Sequence, residues 1–567
     1  MKEFLLVLTV LISISCSDSS NKAEIDSDTS DTETENDIDY KTDSGSTDST
    51  IYDSDTFNSS TDSILDSETD SSDQYIPDNT TPVGDLNLIP LPVSVTKDIG
   101  FLTLDKDTKI VVSEGSKSIG YFLASILRPS TGYNFYTATT GRTRGDINLI
   151  IDSTLTGMNP EGYLLDITND GVFIKALKPE GLFYGVMTLR ELFDEKIESK
   201  TLITNMGWKL PKVHIEDYPR FKIRGFMLDV SRHFFDVESV KRYIDLIAYH
   251  KMNSLHLHLS DDQGWRIVID SWPDLTTIGG STCVGGGNGG FYTKADYNEI
   301  VLYAESRYVN VIPEIDMPGH TNAALASYAS LNPDGKKQPL YTGIDVGFSS
   351  LWLGQTVTEN FARDVLGEIA AMTPGPYIHI GGDEAHSTDH GDYLTFLKFL
   401  QGVVSNSGKT LIGWEEISGA DLNAPFYAQH WHDEDLSIEA VLKGAQIISS
   451  PAKTAYLDMK YDDSTPIGLT WAGTTDVEDA YNWNPVPAGI SESSVAGIEA
   501  PLWTETVVDD DDIDYLSFPR LCGHGETGWS QQKDKIWDEY KVRLAHHGRR
   551  LDMLGVNYYK STLVNWE

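Results

Sequence analysis

The chain has 567 residues, and at about 150 residues per domain that allows two to four domains. Apolar residues make up 40% and charged residues 23%, ordinary for a protein able to bury a large core. Its 43 Lys and Arg face 86 Asp and Glu, a formal charge of −43, which argues against nucleic acid as a partner and against electrostatic docking on an anionic membrane.

The N-terminus reads as an address. Lys2 precedes an apolar run from Phe4 to Ile14, followed by Ser15-Cys16-Ser17. The run is too short to span a bilayer and suits a secretory signal over residues 1–15. Cleavage before Cys16 fits an ordinary signal, with small residues Ser13 and Ser15 ahead of the cut. It also fits a bacterial lipoprotein signal, of which Ser13-Ile14-Ser15 is a loose version. Cys16 is then the lipidated first residue and attaches the protein to a membrane. The expected location is the cell surface or outer membrane on that reading, and the periplasm or exterior on the other.

Residues 17–85 carry 20 Asp and Glu, 26 Ser and Thr, and only Lys22 and Lys41 as bases. Such a segment buries too little apolar surface to offset ordering entropy, so residues 16–85 are expected to form a disordered acidic tether. Its Asp-x-Asp pieces lack the Gly and closing Glu of an EF-hand loop. The cysteines are Cys16, Cys283 and Cys522, too few for a disulfide framework or a Cys-ligated zinc site.

Residues 86–219 mix strands and helices. Lys109–Val112, Ile147–Ile151, Tyr163–Ile167 and Val172–Ala176 read as strands, with Asp170-Gly171 turning the last two into a hairpin. Ser116–Leu127 and Leu182–Phe193 carry apolar residues at helical spacing. A small α+β accessory domain is expected. Residues 220–567 change rhythm. Short apolar runs recur at Gly225–Val230, Ser254–Leu259, Val309–Ile315, Tyr377–Ile380, Thr410–Trp414, Phe426–Trp431, Gln446–Ser450 and Ile498–Trp503, mostly separated by helical patterns. Eight strands alternating with helices predict an α/β fold, a (β/α)₈ TIM barrel, with its chemistry at the C-terminal strand ends.

Polar residues cluster at those ends: Asp229 and Arg232 after the first, Asp261 after the second, Glu314 to His320 in and after the third, Asp383-Glu384 after the fourth. Strands five, six and eight end on Trp414, Trp431 and Trp503, the last followed by Glu505. Carboxylates among aromatic platforms suit a sugar, whose C–H faces stack on rings while its hydroxyls bond acids. Gly381-Gly382 bends the chain so that Asp383 and Glu384 can enter one pocket. Chain neighbours are poorly placed to flank an anomeric carbon as nucleophile and acid, about 5 Å apart. They suit one acid and one group that orients a nucleophile supplied by the substrate.

Arg232-His233-Phe234-Phe235, His256 through Arg266, Pro313 through His320 and His379-Ile380-Gly381-Gly382-Asp383-Glu384, in that order, resemble the β-N-acetylhexosaminidases of glycoside hydrolase family 20. The likeness runs from about Leu88 to the C-terminus. It implies exo-acting, retaining hydrolysis of terminal β-linked N-acetylglucosamine or N-acetylgalactosamine, with the substrate's acetamido oxygen forming an oxazolinium intermediate. By that resemblance Glu384 is the general acid/base, Asp383 holds the acetamido N–H, and Tyr456 bonds its carbonyl. Trp414, Trp431 and Trp471 wall the acetamido pocket and Trp503 is the stacking platform. Arg232 and Glu505 clamp sugar hydroxyls, while Asp261, His320 and Glu314 orient and tune Glu384; Asp458, beside Tyr456, is expected to help bind the sugar. No cofactor or metal is implied. The segment Gly523 to Trp529 departs from the family's small apolar residues.

Two other readings stand beside this one. His256-x-His258 could be the metal pair of an amidohydrolase barrel, but it lies in the second strand and runs on into Asp261-Asp262, which favours core hydrogen bonding. A carbohydrate-binding surface protein could keep the tryptophans without Asp383, Glu384 and Tyr456; all three are present. Gly279–Gly290 lacks the Lys-Ser/Thr of a phosphate loop and reads as a flexible loop. The aglycone, whether chitooligosaccharide, glycan or biofilm polymer, is not fixed by these residues, nor is release of a monosaccharide rather than a disaccharide.

Overall fold

The structure, a computed structural model, describes residues 78–567. The signal, Cys16 and the tether as far as residue 77 lie outside the described residues. The last part of the expected tether is not loose. Asp78 bridges to Phe101, and its carboxylate accepts the Thr80 and Thr81 N–H groups, each at 3.1 Å. The Gly100 N–H donates to the Thr81 carbonyl at 2.8 Å. Gly100, at φ 98°, permits this approach, because a Cβ there would meet the Asp78 carbonyl at 1.7 Å. These polar residues serve as turn formers, a use that average composition conceals.

The accessory domain is a seven-stranded sheet in the order β1-β7-β5-β6-β4-β2-β3. Its strands are β1 (Ser94–Thr103), β2 (Ile110–Val112), β3 (Thr137–Ala138), β4 (Asp146–Ile151), β5 (Tyr163–Thr168), β6 (Gly171–Ala176) and β7 (Lys209–Asp217). Helices α1 (Lys117–Thr131) and α2 (Pro179–Leu192) pack on it. The structure adds β1, β3 and β7 to the strands expected. β1 is half exposed and polar, and β3 is two residues long, so neither carries a hydrophobic alternation to read.

The second domain closes β8 (Ile223–Asp229), β9 (Ser254–His258), β10 (Asn310–Glu314), β11 (Tyr377–His379), β12 (Thr410–Trp414), β13 (Tyr427–His430), β14 (Gln446–Ser449) and β15 (Val495–Leu502) into a parallel barrel. Around it run α3 (Val237–Tyr249), α4 (Lys294–Glu305), α5 (Thr356–Met372), α6 (His390–Asn406), α7 (Glu434–Leu442), α8 (Arg520–Trp529) and α9 (Trp537–Leu554). A short 3₁₀ turn, Glu415–Gly419, stands in place of a helix after β12. At the N-terminal end of the barrel Ile223, Ile312, Tyr377, Ile412 and Ile448 form one apolar cluster. Two residues further along the same strand faces come Glu314, His379 and Trp414, because side chains in a strand repeat every second position. The upper interior is therefore polar, and only functional chemistry gives such a layer a reason.

The two domains share a buried seam. Asp217 at the end of β7 accepts from Lys251 Nζ at 2.8 Å and Trp529 Nε1 at 2.9 Å, and Arg224 pairs with Glu161 at 2.7 Å. Cys283 and Cys522 are both buried free thiols.

Candidate active site

The C-terminal ends of the barrel strands enclose a cavity of about 370 Å³. Arg232, His320, Asp383, Glu384, Trp431, Tyr456, Asp458, Trp471, Trp503 and Glu505 all line it. Gly381 (φ 65°) and Gly382 (φ 95°) turn the chain after β11, and Glu384 itself sits at φ 43°. A Cβ on Gly381 would lie 1.8 Å from Asp316 Oδ1, so only glycine lets the turn close. The turn brings the two adjacent carboxylates to one side of the cavity.

Their electrostatics differ. Burial pushes the Asp383 carboxyl up to about 6, with Glu384 and Glu314 adding to the rise and His320 opposing it. Burial also works to raise Glu384, but the nearby His320 imidazolium and Arg232 outweigh it and hold this carboxyl below its ordinary range. His320 Nε2 lies 3.6 Å from Asp383 Oδ2 and 3.5 Å from Glu384 Oε2. Burial disfavours charge on His320, yet Asp261, Asp383 and Asp316 together hold its pKa well above the usual histidine value.

Behind His320 runs a buried relay. Asp261 Oδ1 is 3.2 Å from His320 Nδ1, and Asp261 Oδ2 accepts from Arg232 Nη2 at 2.9 Å and lies 2.8 Å from His258 Nε2. His258 Nδ1 bonds Glu314 in turn. Glu314 also meets His256 Nε2 at 3.1 Å and His379 Nδ1 at 2.9 Å, and accepts from Trp414 Nε1 at 2.9 Å. Glu314 thus reaches Glu384 only through His258, Asp261 and His320. The His256-x-His258 pair faces Glu314, Glu499 and Asp261 beneath the cavity.

The walls are aromatic. Tyr456 stands 5.9 Å from Trp471 and 6.3 Å from Trp503 between ring centroids, and Trp431 lies 6.0 Å from Trp471. Trp471 is 55% exposed, at the mouth. Trp414 is buried under the cavity, 5.8 Å from Trp503, rather than lining it. Arg232 stacks its guanidinium 4.8 Å above Trp503.

Several buried polar atoms here have no partner among the described residues: Asp383 Oδ1, His320 Nε2, both oxygens of Asp458, and Glu505 Oε2. Unpaired buried polar atoms are costly and rare. Five of them facing one cavity mark where a hydroxyl- and amide-bearing ligand completes the hydrogen bonding.

Reading the sequence for site residues passes over Asp316, Glu416, Ile344 and Val346. Burial and the Asp383 charge push the Asp316 carboxyl well above its ordinary range, and it accepts the Gly382 N–H at 2.9 Å. Glu416 accepts from Trp431 Nε1 at 3.2 Å, and burial with the Asp383 charge pushes it up to about 8. Both adjoin residues already singled out; that adjacency is the one signal available. Ile344 and Val346 reach the cavity from the long connection between β10 and α5. The Gly279–Gly290 loop, expected to be flexible, is pinned: Arg266 donates to the carbonyls of Gly280, Thr282 and Gly290 at 2.8–3.1 Å.

Comparison with known proteins agrees with this geometry. The family model "Glycosyl hydrolase family 20, catalytic domain" matches residues 221–532, and "Glycosyl hydrolase family 20, domain 2" matches residues 85–218. A beta-N-acetylhexosaminidase of Cellulomonas fimi is 39% identical over 492 residues, covering 85% of this chain and 97% of that one. The solved GH20 beta-N-acetylhexosaminidase of Streptomyces coelicolor A3(2) superposes with a TM-score of 0.83 at 48% identity, covering 86% of this chain and all of that one. A mutant Streptomyces plicatus beta-hexosaminidase solved in complex with its product GlcNAc gives a TM-score of 0.82 at 48% identity, with 86% and 100% covered. From barrel, cavity and sequence together, the chain belongs to glycosyl hydrolase family 20.

Proposed function

We propose that the protein is a β-N-acetylhexosaminidase that removes terminal, non-reducing β-linked N-acetylglucosamine or N-acetylgalactosamine with retention, using the substrate's acetamido oxygen as nucleophile. The observation that carries this is the buried, unpartnered Asp383 Oδ1 beside Glu384 and Tyr456 in one aromatic-walled cavity. Asp383 accepts the acetamido N–H and its charge favours the positive ring that forms. The Tyr456 hydroxyl, kept protonated by burial and by Asp383, donates to the acetamido carbonyl and aims it at C1. The carbonyl oxygen bonds to C1 as the C1–O bond to the aglycone breaks, and Glu384 gives its proton to the departing oxygen. Water then attacks C1 of the oxazolinium while Glu384 takes a proton back. Two inversions give retention.

The relatives' activity supports this reading, as does the mechanism's economy: neighbours on one strand end converge from the same side, which suits an acid and an orienter. Fluorination of the acetyl group tests it. Turnover should fall steeply along the mono-, di- and trifluoroacetyl series, and a thiazoline mimic of the intermediate should bind far more tightly than substrate. A flat series, or a glycosyl ester trapped on any Asp or Glu, overturns it. Turnover of aryl 2-acetamido-β-glycosides separates the enzyme from a carbohydrate-binding protein on the same scaffold.

Export, with Cys16 as lipid anchor and the acidic segment as tether, is part of the same proposal and rests on Lys2, the Phe4–Ile14 run and Ser15-Cys16. Cys16→Ser should abolish globomycin-sensitive processing; unchanged processing points to an ordinary signal.

A further inference from the structure

Away from the sugar cavity, three side chains with nitrogen or sulfur donors meet in the seam between α3, α8 and α9. His250 caps the C-terminus of α3, Cys522 lies on α8 and His547 on α9. His250 Nε2 is 3.0 Å from His547 Nε2 and 3.3 Å from Cys522 Sγ. The three donor atoms all lie within 4.8 Å of one another, and all three residues are buried.

Hydrogen bonding satisfies this trio only in part. His250 Nδ1 is 2.8 Å from the Leu246 carbonyl, which can only accept, so Nδ1 carries the proton and Nε2 presents its single lone pair. The one lone pair on His250 Nε2 therefore faces two donors, the Cys522 thiol and a His547 N–H. Satisfying the ring N–H leaves the weak thiol donor without an acceptor in the trio. If His547 carries its proton on Nδ1 instead, two lone pairs confront each other at 3.0 Å.

A metal ion removes the conflict. Tetrahedral zinc, with Zn–N of about 2.0–2.1 Å and Zn–S of about 2.3 Å, sets its ligands about 3.3 Å (N···N) and about 3.6 Å (N···S) apart. Those separations are a few tenths of an ångström wider than the ones here. A carbonyl on the far nitrogen of a ligand histidine is the usual outer partner that fixes the tautomer, and Leu246 supplies it. Arg190, Arg550 and Arg543 lie near and work against positive charge at the histidines, offset in part because Arg190 and Arg550 pair with Glu198 and Arg543 with Glu526. Glu191 is half-buried, and its Oε1 is a buried atom with no partner among the described residues. Glu191 and His547 both line one cavity of about 140 Å³.

We propose that His250, Cys522 and His547 form a structural zinc site, with a fourth ligand supplied from the cavity that His547 and Glu191 share. It ties the end of α3 to the two C-terminal helices. The ligands are single residues far apart in the chain, so no local motif announces them.

The test is metal analysis of the purified full chain after incubation with ZnCl₂ and dialysis against metal-free buffer. Stoichiometric zinc is expected, falling to background in Cys522→Ser and His547→Ala. Cobalt(II) substitution should give an intense near-ultraviolet thiolate-to-cobalt band with visible bands typical of tetrahedral coordination. Folded wild-type chain that takes up no stoichiometric metal overturns the proposal. So does zinc retained at the wild-type level in Cys522→Ser, or lost instead in Asp383→Asn, which would place the ion in the sugar cavity. If the Ser variant fails to fold, the wild-type cobalt spectrum still decides, because absence of the thiolate band excludes Cys522 as ligand.

Discussion

The Nε2 of His320 lies 3.5 Å from the Oε2 of Glu384, near enough to act through its charge but too far for a good hydrogen bond. The geometry makes His320 the cation that lowers the pKa of both cavity carboxylates, Asp383 and Glu384. It also makes the imidazolium the nearest proton that Glu384 can draw on when substrate excludes water from the cavity.

His320→Asn should therefore move the pH profile in a defined direction. His320 lowers the pKa of both Glu384 and Asp383, so removing it raises both. Asp383, at about 6 with His320 present, must be ionised to hold the acetamido group. The acid limb of kcat/KM, which reports the free enzyme, should move to higher pH in the variant. An unmoved limb with a uniformly lower rate would assign His320 a merely steric part.

Glu384→Gln keeps the shape of the side chain and removes the transferable proton. General acid catalysis is worth about 10²–10⁴-fold, and that loss is expected on substrates with poor leaving groups. Nitrophenyl glycosides, whose leaving oxygen needs little protonation, should suffer less. Equal losses on both kinds of substrate would contradict the acid role.

Glu416 sets an expectation at the other end of the scale. Its carboxyl is pushed up to about 8 by burial and by Asp383, so it is neutral through the working range. Above that pH it ionises and places a second negative charge beside the already ionised Asp383. Glu416→Gln fixes the neutral form. Activity in the variant should persist further into alkali, measured as a shift of the upper kcat/KM limb, while activity near pH 7 changes little.

How far these features can be read in the sequence depends on how local their causes are. Thr410–Trp414 is predicted residue for residue and Ser254–Leu259 to within one, since buried parallel strands are short apolar runs bounded by polar ends. β15 is expected from Ile498 but starts at Val495, because Gly497 interrupts the run. β1 escapes because most of its side chains face water. Arg232, Asp383, Glu384, Trp431, Tyr456, Asp458, Trp471, Trp503 and Glu505 sit inside or beside motifs at strand ends, and the fold gathers them in one cavity. Glu416 is different: its role comes from burial against Asp383 and Trp431, which spacing does not show. His250, Cys522 and His547 meet only because three helices pack together.

Asp458 and Glu505 lead to a prediction in which stability and activity change in opposite directions. Asp458 is buried and Glu505 half-buried, both carboxyls are raised by desolvation, and each lies close enough to couple to like charge: Asp458 to Glu505, and Glu505 to Asp229 and Asp261. Arg232 opposes the rise at Glu505. Both oxygens of Asp458 lack a partner among the described residues. A carboxyl whose folded pKa is raised favours the fold at low pH, and this contribution is lost as pH rises through the folded pKa. Asp458→Asn removes that burden without changing shape, so its melting temperature should exceed the wild type's, most clearly in alkaline buffer. The same change weakens the bonds that the carboxylate makes to sugar hydroxyls. Hydrogen bonds to a charged group are worth about 1.5–3 kcal/mol, so kcat/KM should fall roughly 10- to 150-fold. Ligand completes the comparison: saturating N-acetylglucosamine should raise the melting temperature of the wild type more than that of the variant, because binding stabilises only the state that binds it. A variant that loses activity and stability together would show that Asp458 holds the fold rather than the sugar.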